Sequence, residues 1–459
     1  MKRLNAFLVS VLATVALNAA EANTAVIEQV IVRQQWPWST DVKIEYRLKD
    51  VSSPVDVTVE AYNGDEKLDQ SRLDESLSGD RFGVTDVVGT IILDPVKAFG
   101  TEKVALANFK VKLSLSPSSA DSQDVLYKIL DLTDFTTKDV RRCDFQNGKM
   151  GAYETDFGVI GEGYKTSLED VLIWTGITNM PEYKLTKLAM RRIPAKGVTY
   201  KMGANPNDYS KRNTDGYHDV TLTNDFYISV FEVTEKQAKL LTSVGGVSGE
   251  IPTVSSGWTH ADNLPVGKTS YNWLRGRPQD YINWPNDIYE VGASSALQKI
   301  RDNFPGLLFD LATEAQWEYA CRAGTTNQLY NGKYFSGQAN AIANLESLAW
   351  YSRTVPDEQH QLGGQKRPNA FGLYDMYGNQ LEICRDLVES SEPTAITTAQ
   401  TEPIGTAPVT EDYRDQWAMV RGAYYKRDYA YPRSAMRGLC EKAYGEQAYY
   451  GFRLWLRAE

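Results

Sequence analysis

The most constraining feature of the sequence is the stretch of residues 369–382, which reads NAFGLYDMYGNQLE. Apolar and aromatic side chains alternate in it with three turn-forming residues, Gly372, Gly378 and Asn379. Glycine and asparagine favour turn conformations that regular helices and long strands do not contain. The stretch therefore predicts a tightly folded loop, buried by its aromatic and apolar side chains.

Two carboxylates, Asp375 and Glu382, lie on either side of the Gly378–Asn379 pair. A turn at this pair would bring both side chains and the carbonyls between them towards one centre, and calcium is bound by such oxygen cages. In the structural alternative, Asp375 accepts hydrogen bonds from its own turn and Glu382 pairs with an arginine. Two carboxylates are a weak calcium signal, so the spacing alone favours the structural alternative.

Length and charge limit the classes of protein that this chain can belong to. Its 459 residues suffice for two or three domains, and its net charge of −10 argues against a nucleic-acid partner, which would require a basic surface. Residues 1–22 have a basic start, an apolar run and a small-residue site, as secretory signal peptides do. We expect a mature chain from about Asn23, secreted or periplasmic. No later stretch is apolar enough for a membrane span.

Cysteine and histidine usage gives little sign of a transition-metal centre. In an oxidising compartment four cysteines permit two disulfides in three possible pairings; they are Cys143, Cys321, Cys384 and Cys440. Their spacing fits neither a zinc site nor a redox pair. The three histidines, His218, His260 and His360, are not at ligand spacing.

Within residues 23–115, three segments alternate apolar and polar side chains with a period of two, as in half-buried strands: 42–48, 55–61 and 109–115. Residues 26–32 and 87–93 are predicted as further strands, with a hairpin turn at Asn63–Gly64. We predict a small sandwich of the immunoglobulin or fibronectin kind. It would serve either as a spacer or as a carbohydrate- or partner-binding module.

Residues 116–183 are interpreted as a linker and connector. The polar run 116–124 marks a domain boundary, a strand is predicted at 125–132, and residues 144–180 would pack on the following domain. From residue 184 onward, capping boxes at Thr234–Gln237 and Thr313–Gln316 predict helices that end near Leu241 and Arg322. Another helix is predicted at residues 294–303.

Several blocks in fixed order resemble the formylglycine-generating enzyme (sulfatase-modifying factor) family from about Leu188 to the C-terminus. The blocks are residues 226–234, 264–266, 311–320, 369–382, 420–422, 433–437 and 451–453. The resemblance implies an α+β, C-type-lectin-like fold over residues 184–459 with calcium commonly bound. It assigns one calcium site to the Asp375 and Glu382 side chains with the Gly378 and Gln380 carbonyls. Asn344 and Leu345 would begin a second site.

Family members that make formylglycine use two cysteines, which hold copper(I) through soft thiolate ligands. The cysteines follow a motif that reads Arg421-Gly-Ala-Tyr-Tyr425 in this chain. Counting from this motif to Arg433 places Arg427 and Pro432 at the two cysteine positions. Neither side chain binds copper(I), so copper is not expected and no catalytic residue is assigned.

Tyrosines and charged residues crowd the segment that follows this motif. Tyrosine and arginine are common in recognition surfaces because they offer large contact areas and hydrogen bonds. We interpret Tyr425, Arg433 and Arg437 as structural. The predicted ligand-binding residues, expected to be exposed, are Tyr424, Arg427, Asp428, Tyr429 and Tyr431. The alternative is that these rings fill the core of the loops.

The leading hypothesis is an exported, non-catalytic member of this family that recognises a protein or a glycan. One rival is an oxidoreductase of altered chemistry that uses Asp428 or Cys384. Another is a structural component of the cell envelope.

Overall fold

The computed structural model describes residues 24–35, 39–100, 108–154, 172–245, 247, 249–251, 261–277, 283, 287–356, 359–391, 393–405, 416–437, 440–445 and 447–458. The expected signal peptide, residues 1–22, and His260 lie outside these ranges, as do the side chains of residues 440 and 441. The chain divides into two compact units. The first is Met1–Val125 with Val140–Gly151, and the second is Leu126–Asp139 with Ala152–Glu459.

Two antiparallel sheets form the all-β part of the first unit. Its strands are β1 (Val26–Gln34), β2 (Val42–Lys49), β3 (Val55–Asn63), β4 (Glu66–Lys67), β5 (Leu77–Gly79), β6 (Val88–Leu93) and β7 (Phe109–Pro117). One sheet has the order β1–β2–β6–β5 and the other the order β4–β3–β7. In chain order these are the A-B-E-D and C′-C-F arrangements of an immunoglobulin domain. The predicted all-β fold and the Asn63–Gly64 hairpin are confirmed.

The alternating residues of β2, β3 and β7 build the core of this unit. Val42, Ile44, Tyr46 and Leu48 are buried, whereas Arg47 and Lys49 on the same strand are exposed. Within its described residues the unit also contains the helices α1 (Gln70–Glu75), α2 (Pro95–Phe99), α3 (Ala120–Gln123) and α4 (Arg142–Gln146).

A six-stranded sheet runs through the second unit. Its order is β14 (Phe309–Asp310), β20 (Trp455–Arg457), β13 (Phe226–Ser229), β10 (Lys187–Ile193), β8 (Val125–Asp131) and β9 (Thr137–Arg141). The predicted strand at residues 125–132 therefore pairs with β10, far along the chain. Part of the segment interpreted as a linker and connector, residues 116–183, thus contributes strands β8 and β9 to the sheet of the second unit.

Two smaller sheets carry the long loops of the second unit. One has the order β11 (Thr199–Met202), β12 (His218–Thr221) and β16 (Gln400–Thr401). The other has the order β18 (Cys440–Lys442), β17 (Trp417–Arg421), β15 (Leu381–Val388) and β19 (Tyr450–Gly451). Strand β15 begins at Leu381, so the last two residues of the 369–382 stretch are already extended.

The helices of this unit are short. They are α5 (Glu235–Leu241), α6 (Tyr271–Arg275), α7 (Ala296–Asn303), α8 (Glu314–Arg322) and α9 (Gln338–Leu345), with 3-10 turns at Thr175–Asn179 and Pro181–Lys184. Helices α5 to α8 begin at side-chain caps, whereas α9 begins after Gly337 without one. Both capping boxes form as predicted, at Thr234 and Thr313. Every residue of α8 is buried, which places this helix in the middle of the core. None of the helices in the described ranges has the length and apolarity needed to cross a bilayer.

Candidate functional site

The loop that precedes β15 is buried and irregular, as its composition predicts. Asp375, Gly378 and Asn379 have positive φ angles of 56°, 79° and 57°. A Cβ at Gly378 would lie 2.0 Å from the carbonyl oxygen of Trp350. Only glycine fits at this position, because the Gly378 and Asn379 amides are held by the Gly422 and Trp350 carbonyls.

Glu382 is held by two hydrogen-bond donors. Its Oε1 accepts from Arg453 Nε at 2.7 Å, and its Oε2 accepts from Trp317 Nε1 at 2.6 Å. Arg453 also donates to the Ser229, Val230 and Tyr374 carbonyls. Glu382 therefore makes the arginine pair that the structural alternative expected.

Asp375 is only partly satisfied by hydrogen bonds. Its Oδ2 accepts from the Gly364 amide at 2.6 Å, so the donor comes from another loop and not from its own turn. Its Oδ1 is buried and has no hydrogen-bond partner among the described residues. Burial raises the pKa of Asp375 to about 6, although the Gly364 amide, Arg453 and Lys184 favour the charged form.

Sequence reasoning missed a third carboxylate beside this loop, Glu232. Its Oε1 accepts from the Gln380 amide at 2.9 Å and its Oε2 from Asn379 Nδ2 at 2.7 Å. Burial raises its pKa well above the usual value, and the charges of Asp375 and Glu382 raise it further. The available signal was a glutamate within an otherwise apolar run, residues 226–233.

These residues allow a test of whether the family's calcium would fit. Within the described ranges no three histidine, cysteine or acidic side chains come close enough to hold a metal ion, so carbonyl oxygens would have to contribute. The unpartnered Oδ1 of Asp375 fits a cation. Each Glu382 oxygen accepts one hydrogen bond and retains a second lone pair. Oxygen atoms of this kind are the ligands that calcium takes, and the site at Asp375, Glu382 and the Gly378 and Gln380 carbonyls stays a prediction.

The residues assigned to a second calcium site lie at the end of α9. The Asn344 side chain donates to the Tyr334 carbonyl and to Asn340 Oδ1, each at 3.3 Å. The Leu345 carbonyl accepts from the Leu348 and Ala349 amides. Both groups thus contribute to the end of a helix.

Three cysteines are buried free thiols: Cys143, Cys321 and Cys384. Because three of the four cysteines are free, the two disulfides that an oxidising compartment would permit do not form. Burial raises the pKa of Cys321 to about 12 and that of Cys384 well above its usual value. Both thiols lie in the apolar core around α8, where they pack as small hydrophobic groups.

The residues predicted to bind a ligand come together around Arg427. Its guanidinium lies 5.2 Å from the ring centre of Tyr424 and 4.8 Å from that of Tyr431. Tyr449 stacks on Tyr424 with ring centres 3.9 Å apart and an interplanar angle of 11°. We call this group with Asp428 and Tyr429 the Tyr/Arg surface.

The expected exposure of the Tyr/Arg surface is only partly correct. Asp428 is exposed, whereas Tyr424, Arg427, Tyr429 and Tyr431 are half-buried. Their rings and the guanidinium pack on one another, which removes part of their surface from water. Tyr425, Arg433 and Arg437 are buried, as expected.

A distant segment, residues 209–212, reaches the same surface. Arg212 lies 5.6 Å from the ring centre of Tyr431. The Tyr209 side chain is hydrogen-bonded to Tyr429. Sequence reasoning missed both residues, since more than two hundred positions separate them from their partners and neither belongs to a motif.

Buried ion pairs support the loop below the Tyr/Arg surface. Arg421 pairs with Glu318 and with Glu314, the latter at 3.4 Å. Arg433 pairs with Asp215 at 2.6 Å, and Arg437 with Glu314 at 2.8 Å. These contacts join α8 and a distant loop to residues 421–437.

The fold and its central loop are those of an α+β protein of the formylglycine-generating-enzyme type. The family described as "Sulfatase-modifying factor enzyme 1-like domain" matches residues 183–458, more than half of the chain. The chain belongs to this family.

The individual proteins that this chain resembles have sequence identities of 27% or less. "Chaperone protein LppX" of Paenibacillus barcinonensis is 27% identical over 208 residues, covering 38% of this chain and 67% of that protein. The solved structure of Treponema denticola variable protein 1 is 19% identical, with a TM-score of 0.42, covering 60% of this chain and 96% of that one. PvdO from Pseudomonas aeruginosa is also 19% identical with a TM-score of 0.42, covering 59% of this chain and 94% of that one.

Proposed function

We propose that this protein is an exported, non-catalytic binding member of the sulfatase-modifying factor family. Its ligand, a protein or a glycan, would bind at the Tyr/Arg surface. The observation that carries the proposal is the position of Arg427, half-buried over two tyrosine rings without a carboxylate partner among the described residues. Aromatic residues and arginine, held in one place, are the usual main contributors to binding energy in recognition surfaces.

The backbone beneath these side chains supports the proposal. The Arg427 amide donates to the Tyr424 carbonyl at 2.9 Å, and the Arg427 carbonyl accepts from the Ser352 amide at 3.1 Å. Asp428 Oδ1 accepts from the Ala430 amide at 2.9 Å, which closes the next turn. A surface fixed in this way loses little conformational entropy when it binds a ligand.

The state of the thiols also supports a non-catalytic role. Copper(I) chemistry requires thiolates, and the sequence places Arg427 and Pro432 where relatives carry the cysteine pair. Cys321 and Cys384 lie in the core with raised pKa values, so neither thiolate is readily formed. One similar protein is named a chaperone, and a chaperone acts on a protein, so a protein ligand stays beside a glycan in the proposal.

The test is binding of the mature protein to glycan and surface-protein arrays. We expect a ligand whose binding is lost in Arg427→Ala and Tyr429→Ala while the far-UV circular dichroism of both variants stays unchanged. Silence of the wild-type protein on both arrays would contradict the proposal. Oxygen uptake with copper and a cysteine-containing sulfatase peptide would contradict it as well, because turnover requires a catalyst.

We also propose a calcium ion at the central loop, held by Asp375, Glu382 and the Gly378 and Gln380 carbonyls. The buried, unpartnered Oδ1 of Asp375 supports it. When bound, the ion would supply positive charge that fixes the loop between Trp350 and β15.

A further inference from the structure

Arg427 differs from the deeper arginines of the same unit in what surrounds its charge. No carboxylate of the described residues lies in ion-pair distance of it, and its Nε is buried without a hydrogen-bond partner among them. Asp428, its neighbour in the chain, is exposed and accepts from the Ala430 amide. By contrast, buried arginines of the same unit have carboxylate partners, among them Arg421, Arg433, Arg437 and Arg453. Arg427 therefore keeps a positive charge and N–H donors for a ligand.

The tyrosines beside Arg427 have little open ring face. Tyr449 covers one face of Tyr424, and the guanidinium of Arg427 lies over the same ring. Tyr431 has both Arg427 and Arg212 over its ring. Stacking against the apolar face of a neutral sugar therefore has little surface at Tyr424 and Tyr431. The hydroxyl groups of Tyr424 and Tyr431 make no hydrogen bonds within the described part of the chain and can bind a polar ligand.

The charge around this surface is locally positive on an acidic protein. Arg212, Arg353 and Lys426 are exposed, and Arg353 follows the residue whose amide donates to the Arg427 carbonyl. The whole chain has a net charge of −10, so it repels polyanions at long range. An anion must therefore be recognised by local contacts and not by the general field of the molecule.

We propose that the ligand is an acidic polysaccharide and that Arg427 binds the carboxylate of a uronic acid residue. The planar guanidinium matches a carboxylate with two parallel hydrogen bonds. The tyrosine hydroxyls can bind the hydroxyl groups of the same sugar. An acidic peptide offers carboxylates but no ring hydroxyls. The inference rests on the proposed function and specifies its ligand class.

The experiment measures binding of the mature protein to polygalacturonate by biolayer interferometry at physiological salt. Fully methyl-esterified polygalacturonate has the same ring hydroxyls but no charge. Polyglutamate and dextran sulfate carry negative charge on other polymer backbones. We expect binding to polygalacturonate and at least tenfold weaker binding to the other three polymers. Loss of charge-assisted hydrogen bonds should weaken binding of Arg427→Gln by about tenfold or more.

Two further variants keep the test independent of folding. Arg427→Lys retains the charge but not the planar fork, so its affinity should fall between those of wild type and Arg427→Gln. Lys201→Gln is the matched control. Lys201 also lies over a tyrosine, 5.6 Å from the Tyr217 ring centre, but already pairs with Asp219 at 2.9 Å. Its binding should stay within twofold of wild type.

Equal binding to polyglutamate or to dextran sulfate would overturn the inference, as would absence of binding to polygalacturonate or equal loss in Lys201→Gln. These results are separable from failure of the proposed function. If the arrays capture a neutral glycan or a protein and this binding depends on Tyr429, the proposed binding role stands and only the uronic acid ligand is rejected.

Discussion

Several buried arginines of the C-terminal unit are paired with carboxylates that lie far away in the sequence. Glu318 shows the arrangement: its Oε1 accepts from the Gly203 amide and from Arg322, and its Oε2 accepts from Arg421. Burial alone would raise the pKa of Glu318, but Arg322 and Arg421 outweigh it and hold the pKa below its usual value. One side chain thus connects α8 to β17 and to the loop after β11.

Replacing Glu318 should therefore be costly. Glu318→Gln leaves Arg322 buried without its carboxylate partner and leaves Arg421 with Glu314 alone, so we expect the free energy of unfolding to fall by about 3–5 kcal/mol. Urea denaturation followed by circular dichroism measures the loss. The control is Glu45→Gln, which removes a partly exposed pair with Lys43 at 2.8 Å and should cost less than about 1 kcal/mol. Similar losses in the two variants would contradict the argument.

Asp386 should make stability depend on pH. Burial and the charge of Glu314 raise its pKa from an ordinary value of 3.8 to about 6. The folded protein therefore binds more protons than the unfolded chain between these values. The raised pKa of Asp386 adds about 3 kcal/mol to the free energy of unfolding below pH 4, and this stabilisation is lost as the pH rises through 6.

The matched variant for this prediction is Asp386→Asn, which cannot titrate. Between pH 4 and pH 7 its free energy of unfolding should rise relative to wild type by that amount. Urea denaturation at each pH measures the difference. A difference between the two proteins that stays constant with pH would reject a raised pKa for Asp386.

At the scale of elements, α8 depends on the cap at its first turn. The Thr313 hydroxyl accepts from the Gln316 amide at 3.2 Å, and Gln316 Oε1 accepts from the Thr313 amide at 3.0 Å. Thr313→Ala should lower the free energy of unfolding by about 1–2 kcal/mol. Thr313→Ser keeps the hydroxyl and should retain most of the stability in thermal or urea unfolding. Equal losses in both variants would assign the effect to the methyl group instead.

Local patterns predicted the elements whose causes are local. Alternation in residues 42–48 and 55–61 gave β2 and β3, and two capping boxes gave α5 and α8. Glu382 pairs with an arginine, as the structural alternative expected, but the partner, Arg453, and the neighbouring Glu232 come from distant segments of the chain. Tyr209 and Arg212 reach the Tyr/Arg surface only because the chain folds back. Such contacts follow from tertiary packing, which the spacing of residues in one sequence does not contain.

At the scale of the molecule, calcium would act on the stability of the C-terminal unit. An ion bound only by the folded state raises the melting temperature by mass action. About 5 mM calcium exceeds the ~0.1–1 mM dissociation constants of extracellular sites, so we expect a rise of a few degrees in calorimetry, reversed by chelator. Asparagine tolerates the positive φ at position 375, and calcium should raise the melting temperature of Asp375→Asn by less than that of wild type. An identical melting temperature with calcium and with chelator would reject the site.

The path of the chain between the two units limits how the protein can be divided. Residues 126–139 supply strands β8 and β9 to the second unit, the next twelve residues return to the first, and the chain then leaves again. A fragment that starts at residue 184 would lack β8 and the edge strand β9 of its sheet and would expose β10. A single proteolytic cut or gene truncation therefore does not separate the two units intact. In evolution and in protein engineering, the two units have to be transferred to another protein together.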